Sequence, residues 1–180
     1  RMQVNAQYFQ MKWSDMQIAH WGGVGPWWVG GTVNAGDAQS TGLELDVKYQ
    51  ISDNLNISGS AIFTDAKFTE EYESPGGSIY RNDMEMPNSP DRKGYLGITY
   101  NRPNIAGGNL WVYYGISYQS ESWNRTSNII ENDTNGLSPS HSNSNLSIGL
   151  DDLGSGWDVS LQIDNVFNQS TYSFVNTDSN

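Results

Sequence analysis

The chain has 180 residues, with 20 acidic and 9 basic side chains. Its net charge of −11 would repel phosphate backbones and argues against nucleic-acid binding. It contains no cysteine, which excludes disulfides, thiol catalysis and thiolate metal sites together, and no apolar run approaches the roughly 18 residues of a spanning helix. Charged residues make up 16 %, below the roughly 25 % usual in soluble domains, while aromatics are plentiful at 7 Trp, 10 Tyr and 5 Phe.

Reading for a period of two gives about seven strands and no helix. The first runs from about Asn5 to Ile18, with Phe9, Met11 and Trp13 on one parity and Tyr8, Gln10 and Lys12 on the other. The second starts near Gly36 and contains GLELDVKYQI (42–51), where Leu43, Leu45, Val47, Tyr49 and Ile51 alternate with Glu44, Asp46, Lys48 and Gln50. The third, 55–66, sets Leu55, Ile57, Gly59, Ala61 and Phe63 against Asn56, Ser58, Ser60 and Thr64, with Ile62 breaking the polar side. The fourth, 93–101, aligns Leu96, Ile98 and Tyr100; the fifth, 109–120, aligns Leu110, Val112, Tyr114, Ile116 and Tyr118. In the sixth, 142–150, Leu146, Ile148 and Leu150 share a side, and in the seventh, 156–167, Trp157, Val159, Leu161 and Ile163 stand opposite Asp158, Ser160, Gln162 and Asp164.

Short and long connections alternate between these strands. SDN (52–54), RPNIAGG (102–108) and DDLGSG (151–156) are short and rich in turn formers, whereas 19–35, 68–91, 120–142 and the tail from 168 are long and polar. An outer-membrane barrel alternates in this way, with short periplasmic turns and long extracellular loops, and a Greek-key sandwich has no reason to. The polar parity is mostly Asn, Ser, Gly, Gln and Asp, which suits a wet concave wall. Aromatics near strand ends (Trp13, Tyr49, Phe63, Tyr100, Tyr118, Trp157, Phe167) fit interfacial girdles. The expected fold is therefore all-β: an antiparallel up-and-down meander belonging to a larger transmembrane barrel. Leu43, Leu45, Val47, Leu110, Val112, Leu161 and Ile163 are expected to face lipid, and Glu44, Asp46, Lys48 and Asp164 the lumen.

Four ordered stretches resemble the TonB-dependent outer-membrane receptors. VNAGDAQSTGLELDVKYQISDNLNISGSAIFTDAKF carries the Asn-Ala-Gly approach, the Gly-x-Glu strand and the returning Thr-Asp-Ala through Asn34, Ala35, Gly36, Ala38, Gly42, Glu44, Thr64, Asp65 and Ala66. YFQMKWSDMQI precedes it. MPNSPDRKGYLGITY resembles a descent from a loop into a strand through Pro87, Pro90 and Tyr100, and LQIDNVFNQSTY the penultimate-strand signature through Asn165, Phe167, Asn168 and Tyr172. The resemblance implies a barrel of about 22 strands, a plug domain inside it, energy coupling through the TonB complex and uptake of a scarce small-molecule or glycan ligand such as a ferric siderophore. The partners it implies are outer-membrane lipid, the plug, TonB and that ligand, in the outer membrane of a Gram-negative bacterium. Residues 1–180 then form a partial barrel domain, roughly the last third, lacking plug and final strand. The chain opens on Arg1 with no apolar leader, which fits a processed chain or a piece of a longer one.

No nucleophile elbow, HExxH or phosphate-binding glycine loop is present, His20 and His141 have no acid–base partner at motif spacing, and no enzyme activity or cofactor is expected. The loop carrying Glu70, Glu71, Glu73, Asp83, Glu85 and Asp91 reads as a solvated loop rather than a calcium site. ENDTNG (131–136) offers Asp133 and Asn135, but Ser142 stands where a calcium loop needs a bidentate Glu. No metal site is assigned. For ligand contact the best candidates are loop aromatics: Trp21, Trp27 and Trp28 in the glycine-rich stretch 20–32, then Tyr80 and Trp123. The alternative is a soluble or secreted β-sandwich that binds carbohydrate through those tryptophans.

Overall fold

In a computed structural model of the chain, residues 1–24, 27–34, 36–73, 79–123, 136–154 and 156–170 are described, without the side chains at 18–30, 33 and 79–80. Seven long strands form one antiparallel sheet in the order β1 (Met2–Trp13), β4 (Ala38–Gln50), β5 (Leu55–Phe68), β8 (Arg92–Ile105), β9 (Gly108–Gln119), β12 (His141–Leu153) and β13 (Trp157–Ile163). Each pairs only with the next long strand along the chain. Three two-stranded ladders lie in the connections: β2 (Gln17–Val24) with β3 (Trp27–Asn34), β6 (Tyr72–Glu73) with β7 (Ile79–Tyr80), and β10 (Ser122–Trp123) with β11 (Leu137–Ser138). The edges β1 and β13 have no further partner among the described residues, so the sheet is open.

Register turns the sequence alternation into two coherent faces. The directly paired residues Met2, Tyr49, Ile57, Ile98, Tyr114, Leu146 and Ile163 cross every strand without a polar member. On the other face Asn5, Asp46, Ser60, Tyr95, Ser117 and Asn143 form a polar row. A one-residue slip anywhere would throw a strand's leucines onto the polar side, so the two faces hold the register.

The apolar face remains uncovered. Leu43 is 39 % exposed, Val47 36 %, Leu161 59 % and Ile163 43 %, and Leu45, Leu110 and Val112 are half-buried only by their sheet neighbours. A β-sandwich would press a second sheet against these side chains. None lies there among the described residues, and that alternative falls.

The short connections are tight. Ser52 Oγ accepts the Asn54 and Leu55 N–H groups at 3.3 and 3.1 Å, closing the β4–β5 turn. β8 continues through Pro103 to Ile105 with a register shift after Arg102, so the β8–β9 turn is smaller than the expected 102–108 and rests on Ala106 and Gly107, both at positive φ.

Two expectations for the first strand need correction. It ends at Trp13 rather than near Ile18, because Asp15 turns at positive φ and the chain starts a separate hairpin at Gln17. Trp13 also does not belong to an aromatic girdle on the apolar face. It pairs with Ala38, and Phe9 and Met11 pair with Gly42 and Ser40, all on the parity of Glu44. β1 carries large side chains on both parities, and only the partner strand decides between them.

The buried apolar side chains gather at the long-loop end, with Ala38, Ala66 and Phe68 on the parity of Glu44. Phe68 is fully buried against Ala38 and Met84, with Met16, Tyr72 and Met86 packed around them. The segment before β8 is laced onto the end of β5: Phe68 N–H donates to Met84 O at 2.9 Å, Asp83 N–H to Phe68 O at 2.9 Å, Met86 N–H to Ala66 O at 2.9 Å and Thr64 N–H to Asp91 O at 2.8 Å.

Candidate functional site

The polar face and the loop bases above it form the candidate site. Glu44, Asp46 and Lys48 follow one another on this face of β4, opposite neighbours that are polar except for Ile62: Gln7 and Ile62, Asn5 and Ser60, Gln3 and Ser58. The structure brings these three together but not Asp164, which lies beyond β13 near the other edge and accepts a hydrogen bond from Gln162 Nε2 at 2.9 Å. The ion pair found among the described residues is elsewhere, between Lys67 Nζ and Asp65 Oδ1 at 3.0 Å.

Four glycines interrupt the polar face, and each lies beneath an aromatic side chain. Phe9 covers Gly42, Trp111 covers Gly149, and Tyr95 and Tyr113 lean over Gly97 and Gly115, which face each other across β8 and β9. The two tyrosine hydroxyls hydrogen-bond above that pair. Trp111 Nε1 donates to Asp151 Oδ1 at 2.9 Å. An added Cβ at any of the four would collide with the ring or hydroxyl above it. These aromatics were not singled out as site residues from sequence. The signal for them was a glycine at the polar parity, opposite Phe9 and Trp111 in the paired strand and two residues after Tyr95 and Tyr113 in their own.

The loop bases are tied to one another. Met16 N–H donates to Gly36 O at 2.9 Å, Asp15 N–H to Asp37 Oδ1 at 3.2 Å and Thr69 N–H to Asp37 O at 2.8 Å, which joins the first long connection to the second. Trp123 is half-buried in β10, where it pairs with Leu137, and its carbonyl accepts the Asn88 N–H, linking the second connection to the third. The other aromatics expected to touch ligand can be placed by backbone alone. Trp21 in β2 pairs with Gly30, Trp28 in β3 with Gly23 and Trp27 with Val24, while Tyr80 in β7 pairs with Tyr72; their side chains lie outside the described residues. Asp133, Asn135 and Tyr172 lie outside them altogether. No group of His, Asp or Glu among the described residues is arranged to hold a metal.

Asn165 has a clear local task. It sits at positive φ, its N–H donates to Asn145 Oδ1 at 3.2 Å, and its amide side chain bonds both the N–H and the carbonyl of Gln169 at 2.8 and 2.9 Å. An asparagine tolerates the left-handed conformation and offers a donor and an acceptor together.

Over residues 1–166 the sequence matches the family described as TonB dependent receptor-like, beta-barrel. The chain belongs to that family. No curated protein matches it. Among solved structures it is similar to the ferric yersiniabactin uptake receptor FyuA from Yersinia pestis, with TM-score 0.68 and 17 % identity over 93 % of this chain and 23 % of that one. It is also similar to BauA, the ferric preacinetobactin receptor of Acinetobacter baumannii, with TM-score 0.66 and 13 % identity over 94 % of this chain and 24 % of that one. A third, the FrpB iron transporter from Neisseria meningitidis, gives TM-score 0.64 and 18 % identity over 95 % and 26 %. The TonB-dependent receptor chain thus spans about a quarter of the length of these structures. The family and these neighbours are transport receptors rather than enzymes, and receptor barrels of this family are outer-membrane proteins.

Proposed function

We propose that the chain is a stretch of wall and loop from an outer-membrane receptor that takes up a scarce ligand, with a ferric siderophore as the leading class. The observation that carries this reading is the uncovered apolar row crossing all seven strands. In water such a face aggregates; against acyl chains it is stable. From Leu43 to Ile51 the apolar row extends roughly 26 Å along the chain at about 3.3 Å per residue, which at a strand tilt of about 40° covers about 20 Å of the roughly 25 Å outer-membrane apolar band. Leu43, Leu45, Val47, Leu110, Val112, Leu161 and Ile163 then meet lipid, while Glu44, Asp46, Lys48 and Asp164 face the lumen and the plug domain that fills it. Trp21, Trp27, Trp28, Tyr80 and Trp123 lie in connections on the extracellular side, where ligand arrives. Siderophore as the class is favoured by the neighbours' printed ligands, ferric yersiniabactin and ferric preacinetobactin. TonB coupling and a Gram-negative host come with the family reading.

The test compares the two parities of one strand. In the full receptor, Leu45→Arg near the bilayer midplane is expected to cost about 2–4 kcal/mol and to deplete folded receptor from outer membranes, while Asp46→Ser assembles normally. Equal tolerance of both would refute the orientation. Growth on candidate ferric siderophores as sole iron source, with and without the receptor, tests the ligand class.

A further inference from the structure

At the short-turn end of the polar face lies an open concavity of about 250 Å³, and its charge differs from the rest of that face. Arg1 and Lys48 line it together with Gln3, Gln50, Asn56 and Ser58. Register explains the gathering: Gln3 and Ser58 flank Lys48 directly, Gln50 pairs with Asn56, and the Arg1 carbonyl accepts the Gln50 N–H at 2.8 Å. The chain has only 9 basic residues against 20 acidic ones, yet two of the basic ones meet here, and among the described residues no carboxylate lines the concavity. Neither the Arg1 guanidinium nor the Lys48 ammonium has an ion-pair partner among those residues. The nearest acid along β4 is Asp46, one row higher and about 7 Å away at roughly 3.3 Å per residue. Asp46, and Glu44 above it, repel an anion from the upper wall and confine it to the turn end.

On a bare wall, water satisfies two open cations. Once a folded domain covers the wall that water is displaced, and each cation becomes costly unless an opposite charge faces it. We propose that this concavity receives an aspartate or glutamate side chain of the plug domain, held between Arg1 and Lys48 with the Gln3, Gln50 and Asn56 amides around it, so that the plug is latched to the wall at the periplasmic end. A guanidinium matches a carboxylate by its planar fork, and the amides add donors without adding charge. The inference rests on the reading that the polar face looks into a lumen filled by a plug.

Carbodiimide coupling of the detergent-purified full receptor tests it, because the reagent joins an ammonium to a carboxylate only where the two touch. Peptide mass spectrometry is expected to find Lys48 joined to an Asp or Glu of the plug, with the Lys67–Asp65 pair as the internal control for the reaction. Lys48→Gln should abolish the product, and about 1 M salt should lower its yield several-fold by screening. Lys48→Glu with Arg1→Glu should make the plug unfold at a lower urea concentration while heat-modifiable migration of the barrel stays unchanged. A Lys48 that remains uncoupled while the control forms, or that couples only to a barrel carboxylate such as Asp46, overturns the proposal, as does charge reversal without effect on the plug. So does a Lys48 that is open to acetylation by a soluble reagent and shielded only when an anionic ferric ligand is added, which assigns the concavity to the ligand. These outcomes reject the latch and leave the wall reading intact; one in which Leu45→Arg assembles normally rejects the wall reading itself.

Discussion

Tyr95 and Tyr113 reach toward each other across β8 and β9 and join their hydroxyls above the facing glycines Gly97 and Gly115. The pair braces two strands from the polar side, where small residues otherwise leave the backbone bare. Tyr113→Phe removes one hydroxyl and should lower the stability of the folded receptor by about 0.5–1.5 kcal/mol, the usual net worth of one hydrogen bond. The double variant with Tyr95→Phe should cost little more than either single one, since both lose the same bond. Denaturant titrations in detergent, arranged as a double-mutant cycle, read this; strictly additive losses would show that the hydroxyls act apart.

Gly42 is more demanding than the other covered glycines. An added Cβ there meets not only the Phe9 ring but the backbone carbonyl of Phe63, which cannot swing away. Gly42→Ala should destabilise by about 1–3 kcal/mol through forced strand movement. Gly94→Ala, whose nearest atom would be the Ser60 carbonyl at 3.8 Å, is the matched control and should be nearly silent.

Phe68 secures the segment that descends into β8. Emptying its fully buried site with Phe68→Ala should cost about 3–5 kcal/mol of local stability. Trypsin cleavage at Arg81 in the receptor is expected to accelerate strongly, while the sheet's heat-modifiable migration stays unchanged. Unaltered cleavage would mean that the Met84–Phe68 cluster does not hold the segment in place.

Glu85 gives the same segment a pH dependence. Its carboxyl is raised above the ordinary 4.5, first by burial, then by Asp91, with Asp65 and Glu121 adding to the effect and Lys67 opposing it. The folded arrangement therefore binds the proton more tightly than the opened one. The lacing of 83–86 onto β5 should be firmest near and below pH 4.5 and weaken as pH rises through the raised value. Hydrogen exchange at the Asp83 and Met86 amides, which donate to β5, corrected for intrinsic rates, should show this, and Glu85→Gln should flatten the profile.

The seven strands were legible because alternation and turn residues agree: GLELDVKYQI can lie in only one register against its neighbours, and Ser52 is a turn former in the place where the chain reverses. The site was legible in less detail. Trp13 looks like a girdle aromatic when β1 is read alone, because β1 carries large side chains on both parities; its side is fixed by Ala38 in the partner strand. The inner packing around Phe68 joins residues 16, 38, 68, 84 and 86 from two long connections and the ends of two strands, and no local period announces such a cluster. The stretch 19–35, expected as a polar excursion, builds its own hairpin because Trp, Val and Thr outnumber the turn formers along much of β3.

The strand order 1-4-5-8-9-12-13 follows the chain without a crossover. Each newly delivered strand finds its neighbour already waiting, so closing the intervening loop is the main entropic cost of each addition. Such a wall can be laid down hairpin by hairpin, and until the ring closes it always carries a growing margin whose unpaired amides and carbonyls must be shielded by whatever machinery inserts it.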